Sequence, residues 1–211
     1  MKILVISSGQ IKDYSELIQL TNSSDYIICA DGGLDHLLKI KEKPDIVVGD
    51  LDSITTEGIK YIHDNSIETM KFPAKKNMTD TELAVDLAIS KKATCITLVG
   101  VTGSRIDHSL ANILLLRHIK NVGIDCRIID NNNLVYYTKD RLKINKKEDS
   151  YLSVVPLTLD GAVVTLKNVA YPLDEHLIEY GSTLGISNEI EDEFADIQIH
   201  KGEVLVIISK D

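Results

Sequence analysis

Over residues 1–130, short apolar runs rich in Val and Ile alternate with stretches of helical period. The runs at 3–7, 26–30, 46–48, 67–72, 95–99 and 126–129 read as strands. They show little polar alternation, which fits strands buried on both faces of a parallel sheet. Residues 14–20, 33–39, 55–63, 81–90 and 108–120 read as the intervening helices. In the fourth of these, Leu83 and Leu87 recur at helical spacing, as do Ala84 and Ala88, and in the fifth Leu110, Ile113, Leu114 and Ile119 share one face. This rhythm predicts βαβ units and a mostly parallel α/β sheet. It breaks at the polar turn cluster Asn131-Asn132-Asn133. Beyond it, runs at 135–138, 151–157, 162–166, 197–200 and 204–208 are separated by turn residues and carry no helical period. They predict a small all-β domain, a sandwich or barrel. The charged segment 139–149 reads as a solvated hairpin. The expected organisation is an α/β domain over 1–130 followed by a β-sandwich domain over 131–211.

Composition narrows the partners. The 211 residues are 44% hydrophobic and 26% charged, with a net charge of −9 and no run of arginines. Nucleic acid is not expected, because a phosphate backbone demands a concentrated positive surface. No apolar run approaches bilayer length. The apolar start at residues 1–9 is short and soon followed by Asp13 and Glu16, so it reads as a first strand rather than a signal peptide. Cys29, Cys95 and Cys126 are odd in number and lack metal-type spacing. They are expected to be reduced thiols in a cytoplasmic protein.

The candidate chemistry lies in five aspartates. Asp31, Asp50, Asp52 and Asp107 follow predicted strands by short loops, and Asp80 follows a longer one. In an open parallel sheet, ligands bind outside the carboxyl ends of the strands, so these acids are delivered to one edge. Clustered carboxylates repel unless a cation sits among them, and an oxygen-seeking ion such as Mg²⁺, brought with nucleotide phosphate, meets that need. Each acid also has a structural reading. Thr79 and Glu82 form a capping box around Asp80, Asp107 fits an N-cap, and Asp31 and Asp52 sit among turn residues. Asp50 and Asp52, if the chain is extended there, point to the same side and would grip one ion or two neighbouring ions. The loop Gly100-Val101-Thr102-Gly103-Ser104-Arg105 opens onto a helix and offers backbone N–H groups and a guanidinium to phosphate. Lys75 and Lys76 are placed to reach phosphates. There is no Walker A ending, no Gly-x-Gly-x-x-Gly fingerprint, no His-Glu-x-x-His and no Gly-x-Ser-x-Gly elbow.

Four segments occur in order: Ala-Asp-Gly-Gly at 30–33, Pro-Asp-Ile-Val-Val-Gly-Asp-Leu-Asp-Ser at 44–53, Lys-Asn-Met-Thr-Asp-Thr-Glu-Leu-Ala at 76–84, and Gly-Ser-Arg-Ile-Asp-His-Ser-Leu-Ala-Asn at 103–112. Together they resemble the bacterial thiamine pyrophosphokinases. Gly185-Ile186-Ser187-Asn188-Glu189 looks like that family's Ser-Asn segment. The resemblance implies an α/β catalytic domain, a β-sandwich thiamine-binding domain and pyrophosphoryl transfer from ATP to the thiamine hydroxyl. It implies Mg²⁺ on Asp50, Asp52 and Asp80, with all three and Asp107 as the catalytic acids, Asp107 orienting or deprotonating the hydroxyl. Asp31, Lys76, Thr102, Gly103 and Arg105 would hold the nucleotide; Ser187, Asn188 and Asp107 would hold thiamine. It further implies a homodimer in which residues 180–189 serve the partner subunit's catalytic domain. Two features depart from the family pattern. Asn77 stands where an Asp is common, and the chain has no tryptophan, Leu184 lying near the position where some members place one. A hydroxymethylpterin pyrophosphokinase would use the same acids, but the Ser-Asn segment favours thiamine. A non-catalytic sensor has no need of the full acid set, and a phosphatase would need an Asp-x-Asp nucleophile after the first strand.

Overall fold

In the computed structural model, which describes residues 1–73 and 77–211, the apolar runs of the first half become six strands. These are β1 (Lys2–Ile6), β2 (Tyr26–Ala30), β3 (Ile46–Gly49), β4 (Glu68–Lys71), β5 (Cys95–Val99) and β6 (Asp125–Ile129). They pair in parallel in the order β4-β3-β2-β1-β5-β6. Ile6 lies level with Cys29 on one side and Val99 on the other, so the loops after β1, β2 and β5 leave at similar heights. Strand order reverses about β1, which opens a crevice where successive connections diverge to opposite sides.

Five helices connect the strands: α1 (Tyr14–Ser23), α2 (Leu34–Ile40), α3 (Thr56–Asp64), α4 (Asp80–Ser90) and α5 (Ile106–Asn121). Asp13, Thr55 and Thr79 cap α1, α3 and α4 by accepting from the N–H groups of Ser15, Gly58 and Glu82. α4 packs across β1, β2 and β3 through the fully buried Ala84, Val85 and Ala88. Small residues there let the helix lie close on the sheet, and a larger side chain at Ala84 would overpack it at a cost of about 1–3 kcal/mol. The fifth helix turns differently from the expected face. Asn112, Leu116 and Ile119 are buried, whereas Leu110 and Leu114 are 55% and 44% exposed. The run Ile-Leu-Leu-Leu at 113–116 puts apolar groups nearly all round the helix, so hydrophobicity alone does not choose its buried face. Leu110 and Ile119 stand nine residues apart, about half a turn round the helix, so they cannot share its buried side; Ile119 faces inward with Asn112, whose amide bonds the Val101 carbonyl.

The chain divides into two compact units, Met1–Asn131 and Asn132–Asp211. The second is all antiparallel: β7 (Asn133–Thr138), β8 (Arg141–Asn145), β9 (Tyr151–Pro156), β10 (Ala162–Lys167), β11 (Leu173–Ile178), β12 (Phe194–Lys201) and β13 (Val204–Ser209). One layer runs β7-β13-β9 and the other β11-β10-β12-β8. Their inward residues, among them Leu152, Val154, Val164, Ile197, Val206 and Ile208, form one buried core, giving a sandwich. Segment 139–149 is not the solvated hairpin expected. β8 pairs with β12 rather than with β7, and Leu142 and Ile144 point into the core while Arg141, Lys143 and Asn145 face water. The charges hid a period-two strand at a sheet edge, where charged residues also discourage pairing with other chains.

Candidate active site

Asp31 is the first residue after β2, in a short 3-10 turn, with its backbone in the left-handed region at φ +46°. It is buried, and its Oδ1 has no hydrogen-bond partner among the described residues. Burial pushes its pKa up; hydrogen bonds from the Ser53 hydroxyl and backbone oppose this, and the charges of Asp80 and Asp50 push it further up. Gly49, at φ +147°, closes β3 beside it: a Cβ there would stand 3.0 Å from Asp80 Oδ1 and 3.1 Å from Asp31 Cβ. A side chain at 49 would therefore be strained and would push two carboxylates apart. The structure thus brings Asp31, Asp50 and Asp80 together. Phe72 donates its N–H to the Gly49 carbonyl at 3.0 Å, fixing the entry of the loop that leads to Asp80.

Asp50-Leu51-Asp52 is not extended. Leu51 sits at φ +69°, and the Asp52 N–H donates to Asp50 Oδ1 at 3.1 Å, a local turn closed by the side chain. Asp52 is exposed, and its side chain is not aligned with that of Asp50 by strand alternation. Among the described residues no three His, Cys, Asp or Glu side chains form a preformed metal cage. The donors present are carboxylates, and one buried oxygen is unsatisfied; both features suit a hard cation that takes further ligands from water and phosphate. Asn77 is exposed just ahead of α4, while Lys76 and Lys75 lie outside the described residues.

The loop after β5 is held from several sides. The Gly9 N–H donates to the Gly100 carbonyl at 2.6 Å, and a Cβ on Gly9 would collide with the carbonyl oxygens of Gly100 and Thr102. The Thr102 hydroxyl donates to Asp130 at 2.8 Å. The Gly103 N–H donates to the Ser109 hydroxyl oxygen at 3.0 Å, and the buried Asn112 amide donates to the Val101 carbonyl at 2.7 Å. His36 extends the support. Lys39 donates to the Tyr14 hydroxyl, which donates to His36 Nδ1 at 2.9 Å, leaving Nε2–H for the Gly9 carbonyl at 2.8 Å. Burial lowers the His36 pKa, consistent with that neutral tautomer. The Ser7 and Thr81 hydroxyls are bonded at 2.9 Å, tying the loop after β1 to the start of α4.

Arg105 and Asp107 form an exposed pair, with Nε to Oδ1 at 3.2 Å and Nη2 to Oδ2 at 2.6 Å. Arg105 holds the Asp107 pKa down to about 2, helped by the His108 backbone N–H. Asp107 does not cap α5, since Arg105 occupies the N-cap position and Asp107 lies in the first turn. None of the groups that shift its pKa belongs to the Asp31, Asp50 and Asp80 cluster.

In the second unit, residues 185–188 run beside β9. Val154 donates to the Gly185 carbonyl, and Leu152 and Asn188 exchange backbone bonds at 2.7 and 2.9 Å. Ser187 is exposed at φ +58°, with its N–H on the Ser153 hydroxyl at 3.1 Å. Asn188 is buried and much of its amide is committed. Oδ1 accepts from Tyr171 N–H at 3.0 Å and Glu189 N–H at 2.9 Å, and Nδ2 donates to the Tyr171 carbonyl at 2.8 Å.

Several supporting residues escape a reading of sequence alone. Ser53, Tyr14, His36, Ser109, Asn112 and Tyr171 act through partners 6–27 positions away, or through a turn closed only in the fold. Ser109 and Asn112 stand inside the 103–112 segment, which was the available signal.

Family comparison describes residues 17–128 as "Thiamin pyrophosphokinase, catalytic domain" and residues 139–204 as "Thiamin pyrophosphokinase, vitamin B1 binding domain". The chain is 34% identical over 214 residues to the thiamine pyrophosphokinase of Bacillus subtilis, covering all of both proteins. It is 25% identical over 193 residues to thiamine pyrophosphokinase 1 of Oryza sativa, covering 79% of this chain and 72% of the rice protein. Among solved structures, the Bacillus subtilis enzyme superposes with a TM-score of 0.89 at 31% identity over all of both chains. That of Geobacillus thermodenitrificans superposes with a TM-score of 0.86 at 29% identity, covering 100% of this chain and 98% of the other.

Proposed function

The chain belongs to the thiamine pyrophosphokinase family, and from that premise we propose how its own residues perform the family's reaction. It transfers a pyrophosphoryl group from ATP to the hydroxyl of thiamine, forming thiamine diphosphate. The thiamine oxygen attacks the β-phosphorus, the bond from that phosphorus to the α,β-bridging oxygen breaks, AMP departs, and the hydroxyl proton is released. Three parts are required: a holder for the phosphates, a neutraliser of charge on the leaving oxygen, and a seat for thiamine.

The observation that carries the site assignment is the buried, unpartnered Asp31 oxygen beside Asp50 and Asp80 at the carboxyl edge of the sheet. Such a set is electrostatically unfavourable when empty and favourable around a cation. Mg²⁺ suits it, with Asp50, Asp52 and Asp80 as ligands and Asp31 as support from the neighbouring loop. When bound, it would supply neutralisation of the phosphate charge and of the leaving oxygen. Thr102, Gly103 and Arg105, with Lys76, would bind the triphosphate. Thr102 offers its backbone, because its hydroxyl is committed to Asp130. Asp107, held near pKa 2 by Arg105, is a weak base, so it orients the thiamine hydroxyl rather than deprotonating it. Ser187, with its exposed side chain, and Asn188, which shapes the segment, would seat thiamine.

The domain roles follow: residues 1–130 bind ATP and the metal, and 131–211 bind thiamine. A homodimer is supported by the apolar stripe Ile106, Leu110 and Leu114 along α5, which are 79%, 55% and 44% exposed. No helix among the described residues is long and apolar enough to cross a membrane. The three free thiols favour a cytoplasmic setting.

Incubation with ATP, Mg²⁺ and thiamine, followed by chromatography of the products, tests the reading. Thiamine-dependent AMP and thiamine diphosphate are expected. ADP as product, or AMP formation indifferent to thiamine, would refute it.

A further inference from the structure

We propose that His36 is a positioning residue for ATP: it fixes the loop after β1, and through that loop the backbone of segment 100–105. This rests on the functional reading above, in which that segment holds the triphosphate, and adds to it a residue that touches neither substrate.

His36 lies on α2, just past the turn that carries Asp31, and is buried. A buried imidazole carries a desolvation cost that an apolar side chain beside Leu34 and Leu37 would not. Both of its ring nitrogens are engaged. Nε2 faces the Gly9 carbonyl at 2.8 Å, and Nδ1 faces the Tyr14 hydroxyl at 2.9 Å. A carbonyl only accepts, so Nε2 carries the proton and Nδ1 is left to accept. Tyr14 can donate to it because the Tyr14 oxygen itself accepts from the Lys39 ammonium at 3.0 Å. Every donor therefore points the same way, from an exposed lysine on α2 through Tyr14 on α1 to the backbone of the β1 loop. A second proton on the ring would break the chain, since the Tyr14 oxygen would then face two donors. Burial first, and the Lys39 charge after it, oppose that proton; the Gly9 bond and the Asp35 charge favour it, and the net effect is a lowered pKa.

Gly9 passes the placement on. The Ser7 N–H donates to the Val99 carbonyl at 3.0 Å, and the Gly9 N–H to the Gly100 carbonyl at 2.6 Å. At these points the two loops meet backbone to backbone. A Cβ on Gly9 would stand 2.4 Å from the carbonyl oxygens of both Gly100 and Thr102. One on Gly100, at φ +63°, would stand 2.3 Å from the Ser7 carbonyl oxygen. Contacts this close have no side chain between them to absorb a shift, so a movement of Gly9 is carried to Gly100 and Thr102. The rest of the β1 loop is held elsewhere: the Asn131 amide accepts from the Lys12 N–H at 2.5 Å and donates to the Gln10 carbonyl at 3.0 Å. His36 holds the loop where it touches segment 100–102. Displacing phosphate-binding groups by about 1 Å is enough to weaken their action strongly.

The test compares Tyr14→Phe, His36→Leu and His36→Gln with the unaltered protein. Calorimetric titration with MgATP in the absence of thiamine reads ATP affinity, and steady-state turnover reads the KM for each substrate. Tyr14→Phe removes one link and is expected to raise the Kd for MgATP about 2–10-fold. His36→Leu removes both links and is expected to raise it about 5–30-fold. His36→Gln keeps an N–H for Gly9 and an oxygen for Tyr14, and is expected to stay within about threefold of the unaltered protein. The double variant Tyr14→Phe with His36→Leu should bind no more weakly than His36→Leu alone, because both act through one chain. The KM for thiamine should move by less than about twofold in all of them. An unchanged MgATP affinity in Tyr14→Phe and His36→Leu would overturn the proposal, as would equal losses for both substrates or a His36→Gln protein no better than His36→Leu. If His36→Leu does not fold, an unchanged affinity in Tyr14→Phe overturns it alone. An unaltered protein that binds no MgATP would refute the functional reading and this proposal together. Weakened MgATP binding in the variants, without thiamine-dependent AMP from the unaltered protein, would refute the functional reading and leave the role of His36 standing.

Discussion

Removing the charge of Asp31 should stabilise the protein when no divalent cation is present. The carboxylate is buried, strained at φ +46° and left with one unsatisfied oxygen. Its pKa is raised from 3.8, by burial first and by the Asp80 and Asp50 charges against the opposing Ser53 bonds. An acid whose pKa is higher folded than unfolded holds more protons in the folded state through the interval between the two values. Its ionisation therefore costs stability as pH rises from near 3.8, and the full cost stands once pH exceeds the folded pKa. Asp31→Asn has no such cost. Asn tolerates a left-handed backbone, its oxygen still accepts from Ser53, and its N–H₂ gives Asp80 and Asp50 a donor. An unsatisfied buried polar group costs about 1–3 kcal/mol, and each kcal/mol moves the melting temperature of a chain this long by roughly 2–4 °C. In EDTA at pH 7.5, Asp31→Asn should melt at least about 2 °C above the unaltered protein. Asp31→Ala should gain less, because Ala pays about 1–2 kcal/mol in the left-handed region. Added Mg²⁺ should reverse the order, raising the melting temperature of the unaltered protein by linkage and that of Asp31→Asn far less. Differential scanning fluorimetry across a Mg²⁺ titration reads both effects. An Asp31→Asn protein melting at or below the unaltered one in EDTA would refute the reasoning.

Four further outcomes are expected. Asp50→Asn and Asp52→Asn should each lower kcat by at least about 100-fold with melting temperatures nearly unchanged; normal turnover in either would contradict its metal assignment. Asn112→Ala should cost about 1–3 kcal/mol in urea unfolding, because it leaves the Val101 carbonyl buried without its donor, and should raise the KM for ATP; an unchanged KM would detach that amide from the phosphate loop. Asp107 stays ionised down to about pH 2, so Asp107→Asn should lower turnover without moving the acidic limb of the rate profile between pH 5 and 7; loss of a limb in that range would make Asp107 the base after all. Leu110→Glu should convert a dimer to a monomer in light scattering, and an unaltered protein already monomeric at micromolar concentration would remove the role given to α5.

Much of the fold was readable because it rests on local pattern. Strands β1, β2 and β5 are largely apolar runs, and the Thr79–Glu82 box starts α4 where it was expected. β8 and β11 were not recognised, since their exposed faces carry Arg141, Lys143, Asp174 and Glu175, and only pairing with β12 and β10 makes strands of them. The face of α5 was misread because apolar residues surround the helix, and Leu110 and Ile119, nine residues and about half a turn apart, end on opposite sides of it.

The sequence by itself determined the two-unit organisation, the family and the set of acids, because strand runs, turn clusters and ordered motifs are properties of neighbouring residues. The tertiary structure alone decided how those acids differ. Burial and a left-handed backbone leave Asp31, the least specified of the five by sequence, with an unsatisfied oxygen among other charges, while Arg105 holds Asp107 as an exposed ion pair. It also decided that Asn188 spends its amide on Tyr171. Hydrogen bonds, dielectric and charge proximity depend on distances between residues far apart in the chain, and those distances exist only once the strands have paired.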